Sequence, residues 1–154
     1  MSRFRRLLVA TDFSEPSRLA MSYACELADT FEAALHVLHV VSDPYAQPWA
    51  SEAFGVPLAD VLADWERAAR QQLEQAVPPE IRQRREVRLV TRVGQPFFEI
   101  IDYAEKERID LIVMGTHGRG FVAHMLMGSV AEKVVRKAPC PVLIVRSPRH
   151  AGEG

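Results

Sequence analysis

DLIVMGTHGRGFVAHMLMGSVAEKVV (residues 110–135) opens as a continuous apolar run, passes through four glycines and ends with the spacing of an amphipathic helix. LIVMG at 111–115 is short, unbroken and bounded by an acid and a glycine turn, the pattern of a strand buried on both faces. Val130, Val134 and Val135 then recur at helical spacing behind Gly128 and Ser129. Strand, glycine loop and helix in that succession form half of a βαβ unit.

Four more apolar runs flank this one: LLVAT near 7–11, ALHVLHVV near 34–41, EVRLVT near 86–91 and PVLIV near 141–145. Each suits a strand. Between them, Leu19, Tyr23, Leu27 and Phe31 form one helical row and Ala20, Ala24 and Ala28 a second, behind Ser14 as N-cap and Pro16 in the first turn. Phe97, Ile100, Ile101 and Ala104 repeat the spacing after GQP, and another helix is expected over 58–76, ending before Pro78 and Pro79. Five strands alternating with four helices imply right-handed crossovers and a doubly wound α/β fold, a parallel sheet with helices on both faces. Strand orders 3-2-1-4-5 and 2-1-3-4-5 both satisfy the local pattern.

The 154 residues suffice for one domain, expected over 1–147 with 148–154 as a tail. Nineteen Lys and Arg against 20 Asp and Glu give a formal charge of −1, so there is no overall field to recruit nucleic acid or a membrane surface. Arginine clusters at Arg3, Arg5, Arg6 and at Arg82, Arg84, Arg85, Arg88 read as solvated faces or edge protection. The apolar stretch near the N-terminus is too short for a signal peptide, and no segment approaches the roughly 20 apolar residues of a membrane span. Cys25 and Cys140 stand far apart without ligand spacing, which points to a reduced, cytoplasmic protein. The stretch 42–57, with three prolines and a glycine, reads as a flap or partner surface.

In a doubly wound sheet, ligands bind beyond the carboxyl ends of the strands where the order reverses. With order 3-2-1-4-5 that crevice sets Thr11 and Asp12 against Gly115, Thr116, His117 and Gly118. Glycines let successive N–H groups converge on phosphate oxygens, and the helix opened by Gly128 and Ser129 adds a dipole that favours an anion. Asp12 suits ribose hydroxyls instead. The plainer alternative is that the glycines serve tight turns and Asp12 caps the first helix. Neither a Walker P-loop nor a GxGxxG is present.

GTHGRGFVAHMLMGS has the form Gly-x2-Gly-x9-Gly-Ser and resembles the ATP-binding signature of the universal stress protein family. The resemblance spans nearly the whole chain through LLVATDFSEPS, LHV, GQP, DLIVMGTHGRG, GSVAEKVV and CPVLIVR. It implies a five-stranded Rossmann-like fold, favours order 3-2-1-4-5, and implies adenosine near the first two strands with a triphosphate over the glycine loop. Asp12 would then meet the ribose, with Ala10 and Thr11 beside the adenosine and Val40 on the adenine. Met114 joins this group, Gly115 lies by the ribose and first phosphate, and Gly118, Arg119, Gly128, Ser129 and Val130 lie along the phosphates. Mg²⁺ would ride on the phosphates. The family also implies a symmetric homodimer through the last strand, 141–146, an apolar edge with few charges.

Other residues invite chemistry less strongly. His117 and His124 read as loop-ordering or solvent-facing, and Arg119 is the better phosphate partner because its guanidinium pairs bidentately. His36 and His39 read as structural, Cys140 as inert, and Met125 and Met127 as gap fillers. Together these features lead to an ATP-binding regulatory dimer of the stress response with slow or no hydrolysis and an unidentified protein partner. The alternatives are a slow ATP hydrolase or nucleotidyl-transfer enzyme, and a dimeric adaptor without nucleotide.

Overall fold

The computed structural model describes residues 3–42, 58–116 and 127–147. Five strands, β1 (Arg6–Ala10), β2 (Ala34–Val41), β3 (Val87–Val93), β4 (Leu111–Gly115) and β5 (Val142–Val145), form one sheet of order β3-β2-β1-β4-β5. Every neighbouring pair is parallel, with Leu7 opposite both Leu35 and Leu111. Order 2-1-3-4-5 would seat β3 against β1, a place that β4 takes. The expected boundaries shift by one or two residues: Thr11 falls just past β1, and β3 runs on to pair Val93 with Val41.

The helices are α1 (Glu15–Phe31), α2 (Leu58–Ala76), α3 (Pro79–Arg84), α4 (Pro96–Lys106) and α5 (Ser129–Lys137). The short α3 is a fifth helix where the sequence reading has four. Its one buried residue, Ile81, is too little to register as a period. Arg84, its last residue, and Arg85 just after it both reach the Asp29 carboxylate on α1, at 2.6 and 3.2 Å, so part of this basic cluster ties elements together. The hydrogen bond from Arg84 holds the Asp29 carboxyl below its ordinary value.

Successive strand residues point to opposite faces, and the sheet carries a core on each. Leu7, Val9, Leu35, Val37, Leu111 and Val113 pack with Ala20, Ala24 and Ala28 of α1. Leu8, Leu38, Ile112 and Met114 pack with Ile100, Tyr103 and Ala104 of α4 and Ala131 and Val134 of α5. The alanine row of α1 is the buried one. In the larger row Tyr23 turns outward, because small residues let α1 approach the sheet closely.

Two local devices set the sheet's ends. The Asp110 carboxylate accepts the backbone N–H groups of Arg5 and Arg6 at 2.8 and 2.9 Å, and Asp110 N–H donates to the Arg6 carbonyl at 2.8 Å. This clamp fixes the register of β4 on β1. At the other end, Gly94 follows β3 with φ of 153°, and a Cβ there would stand 2.7 Å from Glu99 Oε1. Gly94→Ala should cost about 1–2 kcal/mol, mainly as backbone strain because the Glu99 side chain can turn away. Urea denaturation measures this, and an unchanged midpoint would reject it.

Candidate functional site

β1 and β4 lie side by side, and the chain leaves them in opposite directions, toward α1 on one face and α5 on the other. A crevice opens between the two departures. Thr11 N–H still donates to the Leu38 carbonyl at 2.9 Å, and Thr116 N–H to the Val145 carbonyl at 3.1 Å. Phe13 then takes the left-handed conformation, φ 65°, and swings the chain into α1. Its ring rests 4.5 Å from that of His39, whose Nδ1 is 2.8 Å from the Thr11 carbonyl and donates to it. His39 therefore holds this turn, as a structural histidine should. Across the crevice, Gly128 N–H donates to the Thr116 carbonyl at 2.7 Å, bringing the start of α5 beside the end of β4.

Asp12 stands where the plainer alternative placed it, at the start of α1. Its Oδ1 accepts the Ser14 N–H at 3.0 Å, the Ser17 hydroxyl at 2.7 Å and the Ser14 hydroxyl. Ser14 occupies the N-cap position, but its side chain caps no backbone N–H. Its hydroxyl is spent on Asp12, which corrects the expected capping role. Asp12 and Ser17 also line the cavity, so the acid both orders the helix start and faces the crevice.

That cavity has a volume of about 240 Å³. Of the expected binding residues, Ala10, Thr11, Asp12, Val40, Met114, Gly115, Gly128, Ser129 and Val130 line it together. Gly118 and Arg119, with His117 and His124, fall outside the described residues, as do the tail from 148 and all but the first residue of the 42–57 flap. Thr116 lines the cavity too, in the crevice where the sequence reading set it, and residues that sequence reasoning missed complete the walls: Leu38, Pro96 and Ile100 at the apolar end, Ser17 at the polar one, and Ala131 of α5. Leu38 could have been found from the period of two that it shares with Val40, and Pro96 from its place in GQP.

The two ends differ in chemistry. Ala10, Leu38, Val40 and Ile100 make an apolar slot. Opposite it, α1 and α5 present their N-termini; among the described residues no side chain caps the first turn of α5, whose leading N–H groups have no intrahelical partners. Such an end favours an anion. Among the described residues no three of His, Cys, Asp and Glu gather as a metal site. Burial and then the Asp29 charge push the Cys25 thiol up to about 11, and burial raises Cys140, so neither is a ready thiolate.

The universal stress protein family model matches residues 3–146, almost the entire sequence. The chain belongs to the universal stress protein family. A universal stress protein of Methanocaldococcus jannaschii is 32% identical, over 95% of this chain and 84% of that protein. Among solved structures, the universal stress protein UspA from Lactobacillus plantarum superposes with a TM-score of 0.75 at 29% identity, covering 95% of this chain and all of that one. Another universal stress protein, solved in complex with cAMP, gives a TM-score of 0.72 at 25% identity, covering 96% of this chain and all of that one. Universal stress proteins thus include a structural neighbour that binds an adenine nucleotide. No described helix of the present family member is long and apolar enough to cross a membrane.

Proposed function

We propose that this universal stress protein binds an adenine nucleotide, ATP first among them, and acts in the cytoplasm as a regulatory dimer with slow or no hydrolysis. The observation that carries the reading is the two-ended cavity where the strand order reverses, apolar at Leu38, Val40 and Ile100 and fringed by the N-terminus of α5 at Gly128 and Ser129. The base occupies the apolar slot, Asp12 accepts from the ribose hydroxyls, and the first turn of α5 receives phosphate. Gly118 and Arg119 extend the phosphate end in the family signature. Mg²⁺ accompanying the nucleotide would be held through the phosphates beside Gly128 and Ser129, and would supply charge neutralisation there. Asp12 is the carboxylate lining the cavity among the described residues, and its Oδ1 is engaged by Ser14 and Ser17. A group committed in this way makes a poor general base, which favours retention of ATP over turnover.

The test is to denature purified protein and separate the released nucleotide by ion-exchange chromatography, beside a Gly118→Ala, Ser129→Ala variant. Near-stoichiometric adenine nucleotide in the parent and little in the variant is expected. An empty parent that also ignores micromolar ATP would overturn the reading.

The dimer pairs through β5. Val142 and Ile144 pack toward α4 and α5, so Leu143 points to the opposite, α1 side of the sheet, where it is 37% exposed. Val135 of α5 is 46% exposed on the other side. An edge strand with apolar residues open on both flanks asks for a cover. Leu143→Lys should convert a dimer to a single chain at micromolar concentration by sedimentation, and a parent that already sediments as one chain would reject the pairing.

A further inference from the structure

Beneath the apolar slot lies a polar contact with no part in the scheme above. His36 is 1% exposed and Tyr103 4% exposed, yet they meet through a 2.6 Å hydrogen bond between Nδ1 and Oη. Their rings stand edge to face with centroids 5.6 Å apart.

The two residues belong to the same rows as the slot's walls. On β2, His36, Leu38 and Val40 share one face by the period of two. On α4, Tyr103 lies three residues beyond Ile100, which places both on one side of the helix. Leu38 and Val40 face Pro96 and Ile100 across the cavity. The His36–Tyr103 contact is the next rung of the same ladder, between the same two elements, with the Arg92 guanidinium 5.5 Å above the Tyr103 ring.

We infer that His36 and Tyr103 are a positioning pair: their hydrogen bond holds α4 at a set distance from β2 and so sets the width of the slot that receives the base. This rests on the nucleotide reading and deepens it. A buried hydrogen bond suits the task because, unlike an apolar contact, it tolerates little change of distance. Losing one partner leaves the other buried and unsatisfied, a penalty that α4 relieves by shifting.

The pair also makes the slot sensitive to pH. Around His36 stand Arg6 at the start of β1, Glu86 just before β3 and Arg88 within it, and Tyr103 and Glu107 on the α4 side. Burial first, and then the Arg88 charge, lower the His36 pKa from its ordinary 6.5, while Glu107 and Glu86 partly oppose this. A group with a depressed folded value binds its proton more readily when the packing loosens. The packed arrangement is therefore fully favoured above pH 6.5 and loses ground as pH falls below it.

The experiment is calorimetric titration with adenosine, which carries no phosphate and no group that titrates between pH 5.5 and 7.5. Four proteins are compared: the parent, Tyr103→Phe, His36→Phe and the double variant His36→Phe/Tyr103→Phe, with thermal unfolding recorded for each. Tyr103→Phe should bind adenosine roughly tenfold more weakly at pH 7.5. The double variant, with both polar atoms gone and the ring pair kept, should recover to within about threefold. Parent affinity should fall between pH 7.5 and 5.5, and the double variant should lose that dependence.

Should a single variant fail to fold, the parent and the double variant still decide through their pH profiles. If the parent binds while Tyr103→Phe matches it and the two profiles coincide, the positioning role is overturned and the nucleotide reading stands. If the parent binds neither adenosine nor ATP, both fall together.

Discussion

Asp12→Asn is expected to weaken binding of ATP and of adenosine by roughly ten- to a hundredfold while leaving the fold intact. Asparagine keeps an oxygen for the three hydrogen bonds that Oδ1 receives from Ser14 and Ser17, so the start of α1 is preserved. It places an amide NH₂ where the second carboxylate oxygen stood, and that nitrogen only donates, so it cannot accept from a ribose hydroxyl. A hydrogen bond to a charged acceptor contributes about 1.5–3 kcal/mol, which sets the range of the loss. Calorimetry gives the affinity, and thermal unfolding checks that the melting temperature moves by only a few degrees. Unchanged affinity would mean that Asp12 serves α1 alone.

Gly115→Val carries the largest expected cost to stability. A Cβ at Gly115 would stand 3.0 Å from the carbonyl carbon, the carbonyl oxygen and the Cβ of Pro16, in the first turn of α1. Valine adds two methyl groups to that collision, and two of the atoms it meets are backbone. Overpacking of this kind costs about 3 kcal/mol, or roughly 6–12 °C in melting temperature for a chain of this size. The loss should appear in nucleotide-free protein. A variant that melts like the parent when empty, and fails only to bind, would return Gly115 to the purely ligand-facing role that the family signature suggests.

Gly115 thus marks a boundary between what residue patterns reveal and what only three-dimensional packing does. The strands are legible in the sequence because fully buried parallel strands are continuous apolar runs, and LIVMG and ALHVLHVV contain little else. Strand order is not legible from pattern, since both doubly wound orders satisfy it; the family resemblance supplies it. The α3 helix escapes because a single buried residue, Ile81, makes no period. Within the site, residues with polar side chains or glycine signatures stand out, and Asp12, Thr11, Gly128 and Ser129 do meet at one cavity. Leu38, Pro96 and Ile100 do not stand out, because a wall for an aromatic base is made of ordinary core residues. Nor can spacing match Gly115 with Pro16, or His36 with Tyr103. Each partner is brought close by crossovers between elements distant in the chain.

The Asp110 clamp bears on how the molecule assembles. β1, β2 and β3 are consecutive in the chain and pair with one another, so they can form a unit from residues 6–93 alone. β4 must close onto β1 from far along the chain, and the clamp from Asp110 to Arg5 and Arg6 belongs to that late event. The crevice sits on the seam that this closure makes, with Thr11 and Asp12 on one bank and Gly115 and Thr116 on the other. No half of the protein holds a complete pocket. A ligand there recognises only the finished molecule: it slows the seam's opening, leaves the pace of folding unchanged, and turns occupancy into a lifetime for the native state.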